Sequence, residues 1–177
     1  MIFNETKLKG AFVIEPDRFE DERGFFTQEW SVKEYAARGL DAQFVEANYS
    51  YNRREGTLRG MHYQAAPHGQ AKLVRCTRGR IYDVIVDLRP ASPTFRQWTS
   101  AELSAENRRL LYVPTEFAHG FQTLEDDTEV TYLVSSLYAP ESSRGVRWDE
   151  PAFKIEWPEA ARRIIIARDR EYPDFTG

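Results

Sequence analysis

The stretch Lys72–Leu88, KLVRCTRGRIYDVIVDL, alternates in side-chain character on both sides of the turn dipeptide Arg78-Gly79. Before the turn, Lys72 shares one face with Val74 and Cys76. After the turn there are two faces, one with Tyr82, Val84, Val86 and Leu88 and the other with Ile81, Asp83, Ile85 and Asp87. A period of two is typical of β-strands, so this stretch predicts a hairpin.

Further short strands are predicted later in the chain. Glu129–Ser135 alternates in the same way and has one face formed by Val130, Tyr132 and Val134. Arg108–Val113 ends at Pro114, which cannot donate to a strand ladder. Many short strands favour a closed or sandwiched antiparallel barrel over a parallel sheet.

One helix is predicted near the N-terminus. Ser31 and Glu34 have the spacing of a capping box, good helix formers continue to Arg38, and Gly39 supplies the stop. The chain from Glu150 onward is richer in proline and charge, so we expect it to wrap the barrel as loops and short helical turns. We therefore expect one domain over residues 1–177.

The composition restricts the function classes. The formal charge of −4 gives no general attraction to nucleic acid or to an anionic membrane, so a negative ligand would need a local cluster of cations. No apolar run approaches membrane-spanning length, and the N-terminus lacks a signal-peptide profile. The lone Cys76 excludes an internal disulfide and is predicted to be a buried, inert thiol. We expect a cytoplasmic protein.

Two histidines are candidates for chemistry. His62 lies in Thr57–Gln64, on the same face as Leu58 and Gly60 and opposite Arg59 if the strand is regular. Taken alone, it is better explained as a core or surface imidazole. His119 lies in Pro114–Phe121, which resembles the second motif of the cupins, where a histidine faces the barrel interior.

The first cupin motif points to a site without metal. Many cupins bind a metal through two histidines separated by one residue, but the second position here is Gln64. The chain has three histidines, and His68 lies in a Pro-Gly loop, so a zinc or iron site is poorly supplied with ligands. We expect no metal and no cofactor.

Three other polar residues are ambiguous when taken singly. Lys72 would be an edge residue reaching water, or, inside a barrel, a cation directed at a ligand oxygen. Tyr132, between Val130 and Val134, would be core or a site residue, and Arg23 would be a surface charge.

In combination, these residues identify the sequence as similar to the dTDP-4-dehydrorhamnose 3,5-epimerase family, and the similarity runs nearly from end to end. The matching stretches are Asp21–Phe26 (DERGFF), Leu58–Gln64 (LRGMHYQ), Gln70–Val74, Asp83–Arg89, Ser92–Phe95, Phe117–Phe121 (FAHGF), Tyr132, Tyr138, Trp148-Asp149 and Asp169. The resemblance implies an all-β fold, a cupin or jelly-roll antiparallel β-barrel with a few short helices.

The resemblance also implies roles. His62 would remove a proton from the sugar ring, Asp169 would orient and charge its imidazole, and Tyr132 would deliver a proton to the opposite face. Lys72 would lie near the C4 oxygen. The other implied substrate contacts are the pyrophosphate ligands Arg23 and Arg59, His119 in the sugar pocket, Tyr138 stacked on the base, and Gln28, Asn48, Ser143 and Arg168.

The sequence departs from the family pattern around the nucleotide. It has Gln28 and Ser143 where the family has glutamate, and Glu46-Ala47 where the family has Gln-Asp. The loop Asn48–Gly56 is one residue longer. An amide can donate as well as accept, so Gln28 could serve the N3 acceptor of cytosine. The nucleotide carrier therefore stays open, although simple variation among relatives also explains these positions.

The first hypothesis is an epimerase that inverts C3 and C5 of a nucleotide-linked 4-keto-6-deoxyhexose, by default dTDP-4-dehydro-6-deoxy-D-glucose. Alternatives are an epimerase acting at C3 or C5 alone, or one using a CDP- or GDP-linked sugar. A non-catalytic sugar-binding cupin and a metal-dependent cupin enzyme are more remote. Family members are typically homodimers that exchange an N-terminal strand, so the resemblance implies a homodimer, with a nucleotide sugar as its partner and neither nucleic acid nor membrane.

Overall fold

The computed structural model describes residues 1–177, and strands dominate it. The strands are β1 (Ile2–Glu5), β2 (Phe12–Glu15), β3 (Arg18–Asp21), β4 (Gly24–Thr27), β5 (Glu46–Asn52), β6 (Leu58–Gln64), β7 (Lys72–Arg78), β8 (Arg80–Asp87), β9 (Trp98–Ser104), β10 (Leu110–Val113), β11 (Phe117–Thr123), β12 (Thr128–Val134) and β13 (Ser143–Gly145). The helices are α1 (Val32–Ala36), α2 (Ala167–Arg170) and a 3₁₀ turn (Pro140–Ser142). Neither α-helix is long and apolar enough to cross a membrane.

Two antiparallel sheets form the body of the fold. The larger has the strand order β1-β2-β10-β7-β12-β5, and the smaller has the order β13-β6-β11-β8-β9. Apolar side chains from both sheets meet between them, including Val74, Ile85, Phe117 and Val130. The predicted cupin-type jelly roll is confirmed. The hairpin of β3 and β4 stands apart as a two-stranded sheet.

The alternation in Lys72–Leu88 is confirmed as two faces with different partners. Ile81 and Ile85 pack between the sheets, whereas Val84 and Val86 belong to an outer cluster with Phe153 of the C-terminal segment. Both faces of β8 are buried because that segment covers the outside of the smaller sheet. The turn after β7 is formed by Gly79 at a φ of +73°.

Two predicted boundaries were wrong. The helix ends at Ala36, and Ser31 makes no capping bond through its side chain. The Glu34 carboxylate instead lies 3.9 Å from both the Arg38 guanidinium and the N-terminal amine, so the predicted capping box does not form. The strand predicted from Arg108 begins at Leu110, because Arg108 adopts a turn conformation with a φ of +56°.

The C-terminal segment wraps the barrel, as predicted for the chain after Glu150. A parallel bridge joins Ile164 to Thr57, just before β6. The segment then forms α2, whose Asp169 is buried against β6. This route brings a residue from the end of the chain to the strand that carries His62.

Candidate active site

A cavity of about 400 Å³ lies between the two sheets and is closed in part by the C-terminal segment. Its walls carry most of the ionisable residues singled out from the sequence. The smaller sheet and α2 contribute Arg59, His62, His119, Arg168 and Asp169, and the larger sheet contributes Lys72 and Tyr132. Residues more than 100 positions apart in the sequence therefore share one site.

His62 and Asp169 form a hydrogen-bonded pair. The His62 Nε2–H donates to Asp169 Oδ1 over 2.8 Å, and the Gly60 N–H donates to Asp169 Oδ2 over 3.2 Å. Because Asp169 occupies Nε2, the neutral imidazole keeps its lone pair on Nδ1. This is the tautomer that leaves a ring nitrogen free to accept a proton.

Burial lowers the pKa of His62 below its ordinary value of 6.5, although Asp169 opposes this effect. The positive charges of Lys72 and Arg168 lower it further. The Arg168 Nη2 lies 3.4 Å from His62 Nε2. The imidazole is therefore neutral at neutral pH and available as a base.

Tyr132 lies on β12 of the larger sheet, whereas His62 lies on β6 of the smaller one. Both side chains line the same cavity, so a ligand between the sheets has an imidazole on one side and a phenol on the other. Burial raises the pKa of Tyr132, against the lowering effect of Arg59. The phenol therefore keeps its proton at neutral pH and can donate it.

Lys72 is a buried cation in the cavity wall. Its Nζ donates to the His62 carbonyl oxygen over 3.2 Å. Burial lowers the pKa of Lys72 to about 8, and the charge of Asp83 acts in the opposite direction. Lys72 is thus still charged at pH 7, in a site where water screens its charge weakly.

A second buried pair lies deeper between the sheets. The His119 Nε2–H donates to Asp83 Oδ1 over 2.6 Å, while Asp83 Oδ2 has no hydrogen-bond partner. Asp83 is not among the site residues predicted from the sequence. A signal was present, because Asp83 shares its predicted face with Ile81 and Ile85, where a carboxylate needs a buried partner.

Arg59 lines the cavity beside His62, and the strand is not regular there. Pairing shifts between His119 opposite His62 and Phe121 opposite Arg59, so β6 contains one extra residue. The irregularity lies at Gly60, where a Cβ atom would come within 2.5 Å of the Gly120 Cα. The face expected for Arg59 in a regular strand is therefore wrong.

A recess of about 210 Å³ continues from the cavity. It shares His62, Lys72, Tyr132 and Arg168 with the cavity, and its other lining residues are Glu46, Asn48, Tyr63, Gln64, Gln70, Tyr138 and Ser143. Asn48, Tyr138 and Ser143 thus lie beside the cavity, and their contact with the substrate stays a prediction. Glu46, a departure from the family pattern, lines the recess with them.

Arg23 and Gln28 do not lie at the cavity of their own chain. Arg23 is at the tip of the β3–β4 hairpin, where its side chain is 85% exposed and paired with Asp21. Gln28 follows β4 and is also exposed. Neither residue lines the cavity or the recess beside it, so their contact with the substrate stays a prediction.

The arrangement of side chains bears on whether the site could bind a metal ion. No three His, Cys, Asp or Glu residues are grouped so as to hold a metal ion. Gln64, at the position of the second cupin histidine, uses its amide for hydrogen bonds to the backbone of His68, Leu137 and Ala139. A metal-free site remains a prediction.

Comparison with known proteins gives a consistent family. Residues 5–177 match a family model described as dTDP-4-dehydrorhamnose 3,5-epimerase. A protein of that name from Sinorhizobium fredii is 42% identical over 175 residues, which are 99% of this chain and 90% of that protein.

Two solved structures are similar over nearly the whole chain. The dTDP-6-deoxy-D-glucose-3,5-epimerase of Legionella pneumophila, in complex with dTDP-4-keto-L-rhamnose, has 37% identity and a TM-score of 0.89, with 95% of this chain and 89% of that chain covered. A 3'-monoepimerase of Streptomyces bikiniensis, in complex with dTDP-quinovose, has 34% identity and a TM-score of 0.88, with coverages of 96% and 85%.

Proposed function

This chain belongs to the dTDP-4-dehydrorhamnose 3,5-epimerase family, and on that premise we propose that it inverts C3 and C5 of dTDP-4-dehydro-6-deoxy-D-glucose to give dTDP-4-dehydro-L-rhamnose. The single observation that carries the proposal is the placement of His62 and Tyr132 on opposite sheets around one cavity. An inversion needs a base on one face of the ring and an acid on the other.

The chemistry follows from the ketone at C4. The C–H bonds at C3 and C5 are acidic because loss of either proton gives an enolate. His62 takes the proton on its free ring nitrogen, and Asp169 stabilises the imidazolium that forms. Tyr132 protonates the same carbon from the other face. No electrons are transferred, so the reaction needs no redox cofactor.

The enolate oxygen requires a positive partner. Lys72 is the buried cation next to His62, and its charge acts strongly on a nearby oxyanion because little water reaches it. The pyrophosphate would be held by arginines, whose planar guanidinium groups bind oxygens in pairs. Arg59 and Arg168 line the cavity and are available for this contact.

We also propose a homodimer of this 177-residue, single-domain chain, acting in the cytoplasm. The β3–β4 hairpin supports the dimer, because Phe19 and Phe26 on it are 64% and 70% exposed. Large apolar side chains at such exposure favour burial against a partner. In the dimer, the hairpin of one chain would bring Arg23 and Gln28 to the nucleotide end of the other chain's cavity.

The test is solvent exchange. Incubation with dTDP-4-dehydro-6-deoxy-D-glucose in D₂O should place deuterium at both C3 and C5, because each proton passes through a group in contact with solvent. NMR of the recovered sugar locates the label. CDP- and GDP-linked 4-ketosugars, run in parallel, identify the carrier. If none of the three substrates acquires label at either carbon, the chain is not an epimerase of these sugars but at most a sugar-binding cupin.

A second candidate is inversion at C3 alone. It is favoured by one observation, the similarity of this chain to the 3'-monoepimerase of Streptomyces bikiniensis. The exchange experiment separates the two, because a single-centre enzyme leaves C5 unlabelled.

The pH dependence of kcat/KM should be bell-shaped. His62 must be neutral to accept a proton, so activity should fall about tenfold per pH unit below the pKa of His62, which burial lowers from its ordinary value. Lys72 must be charged to stabilise the enolate, so activity should fall again above its pKa of about 8. Initial rates from pH 5 to 10 measure both limbs.

The Asp169→Asn variant provides the control for the acid limb. The carboxylate raises the pKa of His62, so its removal should move the acid limb to lower pH while the basic limb stays in place. An acid limb that does not move would show that another group than His62 controls it.

A further inference from the structure

The segment Ser135–Ser142, between β12 and β13, carries Tyr138 at the edge of the recess that continues from the cavity. It has no strand partner of its own, and Tyr138 is 61% exposed. An exposed ring is not held in place by packing, so its position depends on the backbone on either side. The bonds that fix this backbone therefore decide where the ring lies.

Gln64 supplies bonds on both sides of Tyr138. Its Oε1 accepts the Ala139 N–H over 2.7 Å, and its Nε2 donates to the Leu137 carbonyl over 3.2 Å. The second Nε2 proton goes to the His68 carbonyl over 2.9 Å. With one acceptor and two donors all used, the amide can take only one orientation.

Gln64 is itself rigidly held. It is the last residue of β6, it is 4% exposed, and it lies two positions after His62 on the same strand. Gln70 also bonds to the segment, at the Ser136 carbonyl over 2.7 Å, but Gln64 bonds to both neighbours of Tyr138, so one strand carries the proposed base and this side chain.

We propose that Gln64 is a positioning residue for the nucleotide, acting through Tyr138. The inference rests on the proposed function, in which Tyr138 stacks on the base. Gln64 hydrogen-bonds to the backbone of residues 137 and 139, as a neighbouring strand would. Tyr138 is therefore held in position to stack on the base before the ligand binds. Binding then costs less ordering of the segment.

The Gln64→Met variant keeps the length of the side chain but removes all three hydrogen bonds. We expect the Kd for dTDP, measured by calorimetry, to rise about tenfold, a loss within the range for one base–aromatic stack. KM for the nucleotide sugar should rise similarly, whereas kcat should change little, because His62 and Lys72 keep their contacts.

The matched control is Gln122→Met. Gln122 is also buried on a strand, and it donates to the Pro158 carbonyl over 3.1 Å and accepts from Arg163 Nε over 2.9 Å. These bonds hold Pro158 and Arg163, neither of which lines the cavity or the recess. The same substitution there should lower the melting temperature and leave the Kd for dTDP unchanged.

A double-mutant cycle with Tyr138→Ala tests the route of the effect. If Gln64 acts through Tyr138, Gln64→Met should add little to the Kd once the ring is absent. Additive effects, an unchanged Kd for Gln64→Met, or an unchanged Kd for Tyr138→Ala would each overturn the inference. Should Gln64→Met not fold, Gln64→Glu, which keeps only the bond from Ala139, takes its place in the cycle.

The two failures are distinguishable. A parent protein that neither binds dTDP nor exchanges ring protons overturns the proposed function. A parent protein that does both, with a Gln64 variant that binds dTDP as tightly, overturns only the positioning role.

Discussion

Replacement of His62 by alanine is expected to lower both deuterium exchange and product formation by about 10²- to 10⁴-fold. The variant lacks the only imidazole that lines the cavity in a hydrogen bond to Asp169. His119 also lines the cavity but is paired with Asp83 deeper between the sheets, so no base remains at the position of His62 and both reactions should fail together. Single-turnover NMR in D₂O measures the two rates in one experiment.

The matched control is His68→Ala. The His68 side chain bonds to Ser142 and lies outside the cavity, so its loss should leave exchange at the parent rate. Binding of dTDP to the His62 variant, at close to the parent affinity, would show that the site is still formed. Turnover at the parent rate by His62→Ala would remove this residue from the mechanism.

The strands could be predicted from the sequence because their side chains alternate strictly between two faces. Residues of β8 alternate between two faces, and each face has an apolar cluster of its own, so the period of two is preserved on both sides. The face of Lys72 was predictable for the same reason, since it repeats through Val74 and Cys76.

Periodicity fails at β6, where one extra residue brings Arg59 onto the cavity side together with His62. A local pattern cannot show this bulge, because it depends on the close approach of Gly60 to Gly120 of another strand. The pairing of His62 with Asp169 depends similarly on the path of the C-terminal segment. Only the family resemblance placed Asp169 at the site.

The predicted contacts to the nucleotide are the part of the site that the structure of a single chain accounts for least. Arg23 and Gln28 were expected at the substrate, but neither lines the cavity of its own chain, and both are exposed on or just after the β3–β4 hairpin. Asp83 was missed for a different reason. A buried aspartate resembles an edge residue in a sequence until its partner, His119, is known.

The second large effect is expected at Tyr132, which differs from His62 in the step that it supports. Its phenol has a pKa raised by burial, so it is a proton donor and not a base at neutral pH. The imidazole of His62 can still remove the ring proton without it. The imidazole can also exchange that proton with solvent and return a deuteron to the face from which the proton came.

Tyr132→Phe should therefore continue to incorporate deuterium, while inversion falls by about 10²- to 10⁴-fold. Phenylalanine keeps the packing between the sheets and removes only the hydroxyl. Tyr82→Phe is the control, since its hydroxyl bonds to Ser100 and its ring packs on Trp157 outside the cavity. NMR of the sugar distinguishes labelled substrate from labelled product. If Tyr132→Phe inverts at the parent rate, or if it loses exchange as completely as His62→Ala does, then proton delivery from the larger sheet is not the step that this tyrosine performs.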